Sequence, residues 1–363
     1  MRFIDEYRNV ELGKGLIARI HRLSTRPVRL MEFCGGHTVA IIRNGIRQLL
    51  PPTVHLLSGP GCPVCVTANV DIDTSIALAS LPDVIVTTFG DMMKVPGSYS
   101  SLQKARAEGA DIRIVYSTQD ALQIARENSS KKVIFIGIGF ETTAPTVAAA
   151  VLQAKAEKVR NFYVLCLLKL CPPVMKALLD LGEIKLNGII CPGHVSAIIG
   201  SNPYEFIPKE YGVACVISGF EPLDILLSVA MLTEQIEKGE PRVEIAYRRG
   251  VKAEGNVTAL RLIEKVFEVG QASWRGIGLI PDSGLKFRKD FADFDASLQF
   301  QVDIRPVREA KGCLCGAILR GLKTPKECQL FRKVCTPETP VGPCMVSSEG
   351  ACAAYYQYGA DYE

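Results

Sequence analysis

The sequence predicts an α/β fold, with two similar parallel-sheet α/β domains and a small cysteine-rich domain. Three observations carry this reading. Short apolar runs rich in β-branched residues recur roughly every 25 residues, as βαβ units do. Most of them are separated by stretches of helical periodicity. Six of the thirteen cysteines crowd into residues 313–352.

In chain order, the run at 28–33 leads into a helical stretch at 38–50, and 54–57 is followed by 74–79. The runs 84–89, 112–116, 133–138 and 162–168 precede helical stretches at 102–108, 121–127, 146–158 and 174–181. Runs at 188–191 and 213–217 complete eight strands. Eight strands suit one barrel or two sheets of four. The Gly-rich turn at 137–145 opens a second half that echoes the first, which favours two sheets. Beyond Glu221 a long helix is expected at 223–238, then a basic segment at 247–250, a helix near 257–269 and loops punctuated by Gly and Pro. The expected division is 25–130 and 131–240 for the two α/β domains, with 1–24 and 241–363 forming the third.

Composition excludes several function classes. A net charge of +4 over 363 residues is too small for a strongly basic nucleic-acid binder. With 48% hydrophobic and 22% charged residues the chain is far from the composition of disorder. Asp5 and Glu6 stand where a signal peptide needs apolar residues, so a cytoplasmic location is expected. The charge-free stretch 186–204 is broken by Pro192, Gly193, His194 and Pro203, so no membrane span is expected there. Thirteen cysteines in a reducing compartment point to metal binding or redox chemistry rather than a disulfide scaffold.

Phe33-Cys-Gly-Gly-His-Thr38 lies where the first strand hands over to the first helix, the edge at which parallel sheets bind ligands. Cys34 and His37 can share a metal there, but two ligands need completing from elsewhere. The plain alternative is a strand-end thiol with Thr38 as a cap. Cys62 and Cys65 form a C-x-x-C after the second strand, a spacing that suits a reversible disulfide at a helix start. A zinc knuckle competes, but the chain has no second C-x-x-C or paired histidines for it. Gly137-x-Gly139 lacks the third glycine of a dinucleotide fingerprint, since position 142 is Thr. Glu141, Thr142 and Thr143 fit helix capping as well as catalysis. Cys191 with His194 repeats a Cys/His pair at a strand end, so both pairs are expected to face one cleft. Cys166, Cys171 and Cys215 read as buried, inert thiols. The tail series Cys313, Cys315, Cys328, Cys335, Cys344 and Cys352 suits an iron–sulfur cluster, which takes four thiolates and leaves two for a disulfide. A zinc site is the alternative.

FCGGHT (33–38), GPGCPVCVT (59–67), FGDMMKVPG (89–97), GFETTAP (139–145), CPGHVSAIIG (191–200) and CTPETPVGPCMVSSEGACAAYY (335–356), in that order, closely resemble the HypD family of hydrogenase maturation factors. The likeness runs over essentially the whole chain. It implies a cytoplasmic scaffold on which the Fe(CN)2CO part of the NiFe hydrogenase centre is assembled, together with a HypC-type chaperone and a HypE-type cyanide donor. It also implies two similar α/β domains and a third holding a 4Fe-4S cluster in surroundings similar to those of ferredoxin-thioredoxin reductase.

By the same resemblance, Cys34 looks like the thiolate that holds the iron, with His37 beside it and a cysteine of the HypC-type partner completing the site. Cys62 and Cys65 resemble the redox-active pair. Cys313, Cys328, Cys335 and Cys352 are assigned to the cluster, and Cys315 with Cys344 to a neighbouring disulfide. Asp91, Glu141 and His194 are expected to line the cleft around Cys34. Two other classes compete: a general thiol–disulfide reductase fed by an iron–sulfur cluster, and a zinc-stabilised binding protein without redox function.

Overall fold

The computed structural model describes residues 5–359, so part of the N-terminal stretch read for a leader lies outside them. The eight expected strands form as β1 (Val28–Glu32), β2 (Val54–Ser58), β3 (Val84–Thr88), β4 (Asp111–Ile114), β5 (Lys132–Gly139), β6 (Phe162–Leu168), β7 (Gly188–Pro192) and β8 (Ala214–Ser218). Three more follow: β9 (Val243–Ile245), β10 (Phe267–Trp274) and β11 (Gly278–Phe287).

Two parallel sheets result, in the orders β2-β1-β7-β8-β9 and β4-β3-β5-β6. The expected division at 130/131 is therefore corrected, because it falls between β4 and β5 inside the second sheet. That sheet is built from one continuous stretch, whereas the first takes β1 and β2 from before it and β7 to β9 from after it. The turn at 137–145 closes β5 in the middle of a sheet rather than opening a new half. The helix Val10–Leu23, expected with the third domain, packs instead on Pro222–Lys238, and its Ile20 joins the core outside the first sheet.

Side chains alternate between the two faces along the strands, and in β3, β7 and β8 every residue is buried, which is why the runs read as continuous. In β1, Val28 and Leu30 enter a core beneath the outer helices, while Met31 enters a central core. In β8, Ala214 and Val216 face outward to that helix layer, and Cys215 and Ile217 face the centre. The same central core receives Val84 and Val86 of β3 and Ile134 and Ile136 of β5, so it is shared by both sheets. Cys315, Cys335, Cys344 and Cys352 of the tail enter it too.

The antiparallel pair β10–β11 was not expected from the sequence, where 257–269 reads as a helix. The helix ends at Val266, and β10 begins at Phe267. The hairpin forms its own two-stranded sheet against the residues after β6: Leu170 N donates to Ser283 O at 2.9 Å, and isolated bridges join Lys169 to Gly284 and Thr67 to Trp274. No helix among the described residues is long and apolar enough to cross a membrane.

Candidate metal and thiol site

Cys34 is the residue before the helix Gly35–Arg43, at the carboxyl end of β1. Its backbone N–H donates to Glu32 Oε2 at 3.0 Å, and the Thr38 hydroxyl donates to the other oxygen of the same carboxyl group. Glu32 is 1% exposed, and burial pushes its carboxyl up to about 8. Burial also pushes the Cys34 thiol up to about 12, assisted by the carboxylate of Glu349, so the free thiol stays protonated.

His37 is fully buried, and desolvation pulls it down to about 4. Its Nε2 lies 3.3 Å from the Ser218 carbonyl oxygen. Facing an acceptor, that nitrogen must carry the proton of the neutral ring, which leaves Nδ1 as a lone pair without a partner. The ring stacks on Phe220 at 4.8 Å between centroids, and His194 stacks on the same Phe220 at 3.8 Å. The two Cys/His motifs therefore meet through one aromatic ring.

Cys62 and Cys65 are joined as a disulfide around the short helix Pro63–Val66, with Cα atoms 5.2 Å apart. The segment leading to them rests against Cys34: Gly35 N donates to Gly61 O at 3.1 Å, and a β-carbon on Gly61 would lie 2.4 Å from Cys34 N. On its other side, Cys65 Sγ lies 3.7 Å from the Pro343 carbonyl oxygen, next to Cys344 in the turn Pro343–Met345.

The tail cysteines converge here. The thiols of Cys315, Cys344 and Cys352 hydrogen-bond among themselves, and Cys315 also bonds Cys313. That contact pulls Cys313 down to about 6, while the other three lie well above the ordinary thiol range. A β-carbon on Gly342 would meet Cys313 Sγ at 2.5 Å and Cys315 Sγ at 2.6 Å, so only glycine fits between them. Cys335 Sγ accepts from Val341 N at 3.3 Å. Cys328 stands somewhat apart, its thiol donating to Gly312 O at 3.8 Å. Cys315 and Cys344, expected as a disulfide, are free thiols in contact. Among the described residues no group of three or more His, Cys, Asp or Glu forms a ready metal-holding cluster.

Of the three residues expected to line the cleft, His194 does so through Phe220. Asp91 is exposed; burial raises the Glu349 carboxyl, and the Asp91 charge adds to that rise. Glu141 is turned to Cys171, whose N–H donates to Oε1 at 2.8 Å, while Oε2 is buried without a partner and the carboxyl is pushed up to about 7. Cys171 and Cys215 are buried as expected, whereas Cys166 is only partly so. Sequence reasoning missed Glu32, Phe220 and Glu349. A charged residue closing the apolar run VRLMEF was the available sign for Glu32; the other two carried none.

The HypD family model, described as "Hydrogenase formation hypA family", matches residues 11–359. The hydrogenase maturation factor HypD of Cupriavidus necator is 48% identical, over 99% of this chain and 97% of that protein. The hydrogenase expression/formation protein HupD of Azotobacter chroococcum is 49% identical over the same shares. The hydrogenase maturation factor HypD of Escherichia coli is 46% identical over 99% of this chain and 98% of that protein. With the Cys34 pocket, the C-x-x-C pair and the tail cysteines in contact, and with likeness on this scale, the chain belongs to the HypD family of hydrogenase maturation factors.

Proposed function

We propose that the chain is a cytoplasmic scaffold for the Fe(CN)2CO part of NiFe hydrogenases. It holds the iron cargo through Cys34 and His37 with a cysteine of a HypC-type partner, and receives cyanide-derived ligands from a HypE-type protein. The observation that supports this most is the continuity of three sulfur sites: Gly61 lies against Cys34, the disulfide follows at Cys62 and Cys65, and Cys65 lies beside the Pro343–Cys344 turn. A soft thiolate suits iron(II), and the two ligands Cys34 and His37 would leave coordination positions for a partner's ligand. Because burial keeps the Cys34 thiol protonated, its thiolate forms only as iron replaces the proton.

The tail fits an iron–sulfur group by donor chemistry: Cys313, Cys328, Cys335 and Cys352 offer thiols only, and Cys335 already receives a backbone N–H of the kind that supports a ligating sulfur. A 4Fe-4S cluster on those four would supply single electrons. The Cys62–Cys65 disulfide takes up two electrons and two protons to become two thiols. Both of its cysteines are buried, Cys62 at 3% and Cys65 at 0% exposure. The test is Cys34→Ala in a strain whose hydrogenase depends on this chain. Loss of maturation with unchanged iron and acid-labile sulfide in the purified protein is expected, and unimpaired maturation refutes the role of Cys34.

A further inference from the structure

A groove of about 710 Å3 runs between the segment 94–104 and the tail loop 334–341. Lys94, Tyr99, Lys104, Val334, Glu338 and Val341 stand on its walls. Val341 links it to the interior, since its N–H donates to Cys335 Sγ at 3.3 Å, and Val334 is the residue before that cysteine. The groove is thus one residue away from a thiol assigned to the cluster. Its apolar part is open: Val334 is 57% exposed and Tyr99 41%. One exposed apolar side chain means little, but two on the same concave surface mark a contact face.

Positive charge surrounds this face. Arg305 and Arg308 lie over the Tyr99 ring at 5.5 and 5.1 Å. The Tyr99 hydroxyl donates to Pro306 O at 2.8 Å and Arg308 N to Ser98 Oγ at 2.8 Å, so this exposed stretch is strapped along the Tyr99 side. Lys94 and Lys104 stand on the walls against a single lining acid, Glu338. Residues 303–341 hold eight Lys and Arg against four Asp and Glu, while the rest of the chain is balanced at 34 against 34. The whole net charge of +4 therefore resides on the segment that carries Cys313, Cys315, Cys328 and Cys335.

We propose that this groove is the docking face for a small acidic protein that carries one electron at a time and delivers it to the tail. This rests on the redox reading of the tail and of Cys62 with Cys65. Opening that disulfide takes two electrons and two protons, so a reductant from outside is needed. Each encounter oxidises the carrier by one electron and passes that electron to the iron held by the tail thiols, with no bond made or broken. Two encounters, with two protons drawn from water, yield the thiols of Cys62 and Cys65. Electron-transfer encounters are small and short-lived, and charge complementarity steers them; an apolar centre within a cationic surround meets both needs.

The probe is an acidic plant-type 2Fe-2S ferredoxin. It is titrated calorimetrically into the full chain isolated anaerobically, at low and at high salt. Binding to the parent is expected, weaker at high salt. Lys94→Glu combined with Lys104→Glu is expected to weaken it about tenfold or more. Lys14→Glu combined with Lys209→Glu changes the net charge equally at exposed positions outside the groove, and is expected to leave it unchanged. Val334→Glu places a negative charge on the same face at an exposed position; a similar loss is expected, so the proposal stays testable even if the double lysine variant fails to fold. Overturning results are no binding to the parent, equal losses in the two double variants, unchanged binding in Val334→Glu, or equally tight binding of a basic c-type cytochrome. A parent chain isolated without iron and acid-labile sulfide removes the redox reading, and this proposal with it. Iron and sulfide present, with ferredoxin binding indifferent to the groove variants, removes the groove alone.

Discussion

Glu32 supports Cys34 from within the same strand end: its carboxyl receives the Cys34 N–H at 3.0 Å while being almost wholly withdrawn from water. A buried acid so placed makes the stability of the site depend on pH. The folded carboxyl is raised from 4.5 to about 8. The unfolded chain releases this proton first, so the contribution is full below pH 4.5 and is lost as pH rises toward 8. Glu32→Gln keeps an acceptor for Cys34 N–H and cannot ionise. Its urea midpoint is expected to fall less than the parent's between pH 5 and 8; parallel curves contradict the assignment.

Gly61→Ala tests the contact between the C-x-x-C segment and Cys34. The added carbon would lie 2.4 Å from both Cys34 N and Cys34 Cα, which are backbone and cannot rotate away. A loss of about 2 to 3 kcal/mol is expected from such overpacking, read by thermal unfolding.

Reduction of the Cys62–Cys65 disulfide is expected to leave the fold intact. The loop it closes is very short, so the chain-entropy gain is only about 2 kcal/mol. Denaturant curves with and without dithiothreitol measure the difference directly. Collapse of the circular dichroism spectrum on reduction would contradict it.

Phe220→Leu removes the ring on which His37 and His194 both stack. Stacking of this kind is worth about 1 kcal/mol per pair, so a modest loss of stability is expected. Iron retention should fall more steeply than stability, because His37 then loses its orientation; metal analysis against the melting curve separates the two.

The strands were legible and their partners were not. Runs such as VRLME and ACVIS announce strands buried on both faces, yet nothing in their side chains states which strand lies alongside. That β1 pairs with β7 rather than β3 depends on where the crossover helices pack, a tertiary property. The hairpin β10–β11 was hidden for another reason, since VFEV at 266–269 continues the apolar period of the preceding helix. Cys34, His37 and the C-x-x-C were legible because glycine, cysteine and histidine cluster at strand ends. Phe220 reaches the site from a segment whose local sequence has no such signature, and Glu349 from within the tail motif, where its cysteines and not its acid drew notice.

The side chain of Asn187 receives the Arg29 backbone N–H across 158 positions, alongside the pairing of β1 with β7. In synthesis from the N-terminus, β1 and β2 therefore emerge long before the strands that flank and cover them. The β3–β6 sheet meanwhile has all its strands in one uninterrupted segment and can close first. Until residues beyond 188 arrive, Cys34 and the C-x-x-C are held on an unfinished sheet edge with their thiols open to oxidant. The order of sheet completion thus makes the nascent chain more vulnerable to premature sulfur oxidation than the finished one, and favours synthesis where thiols are kept reduced.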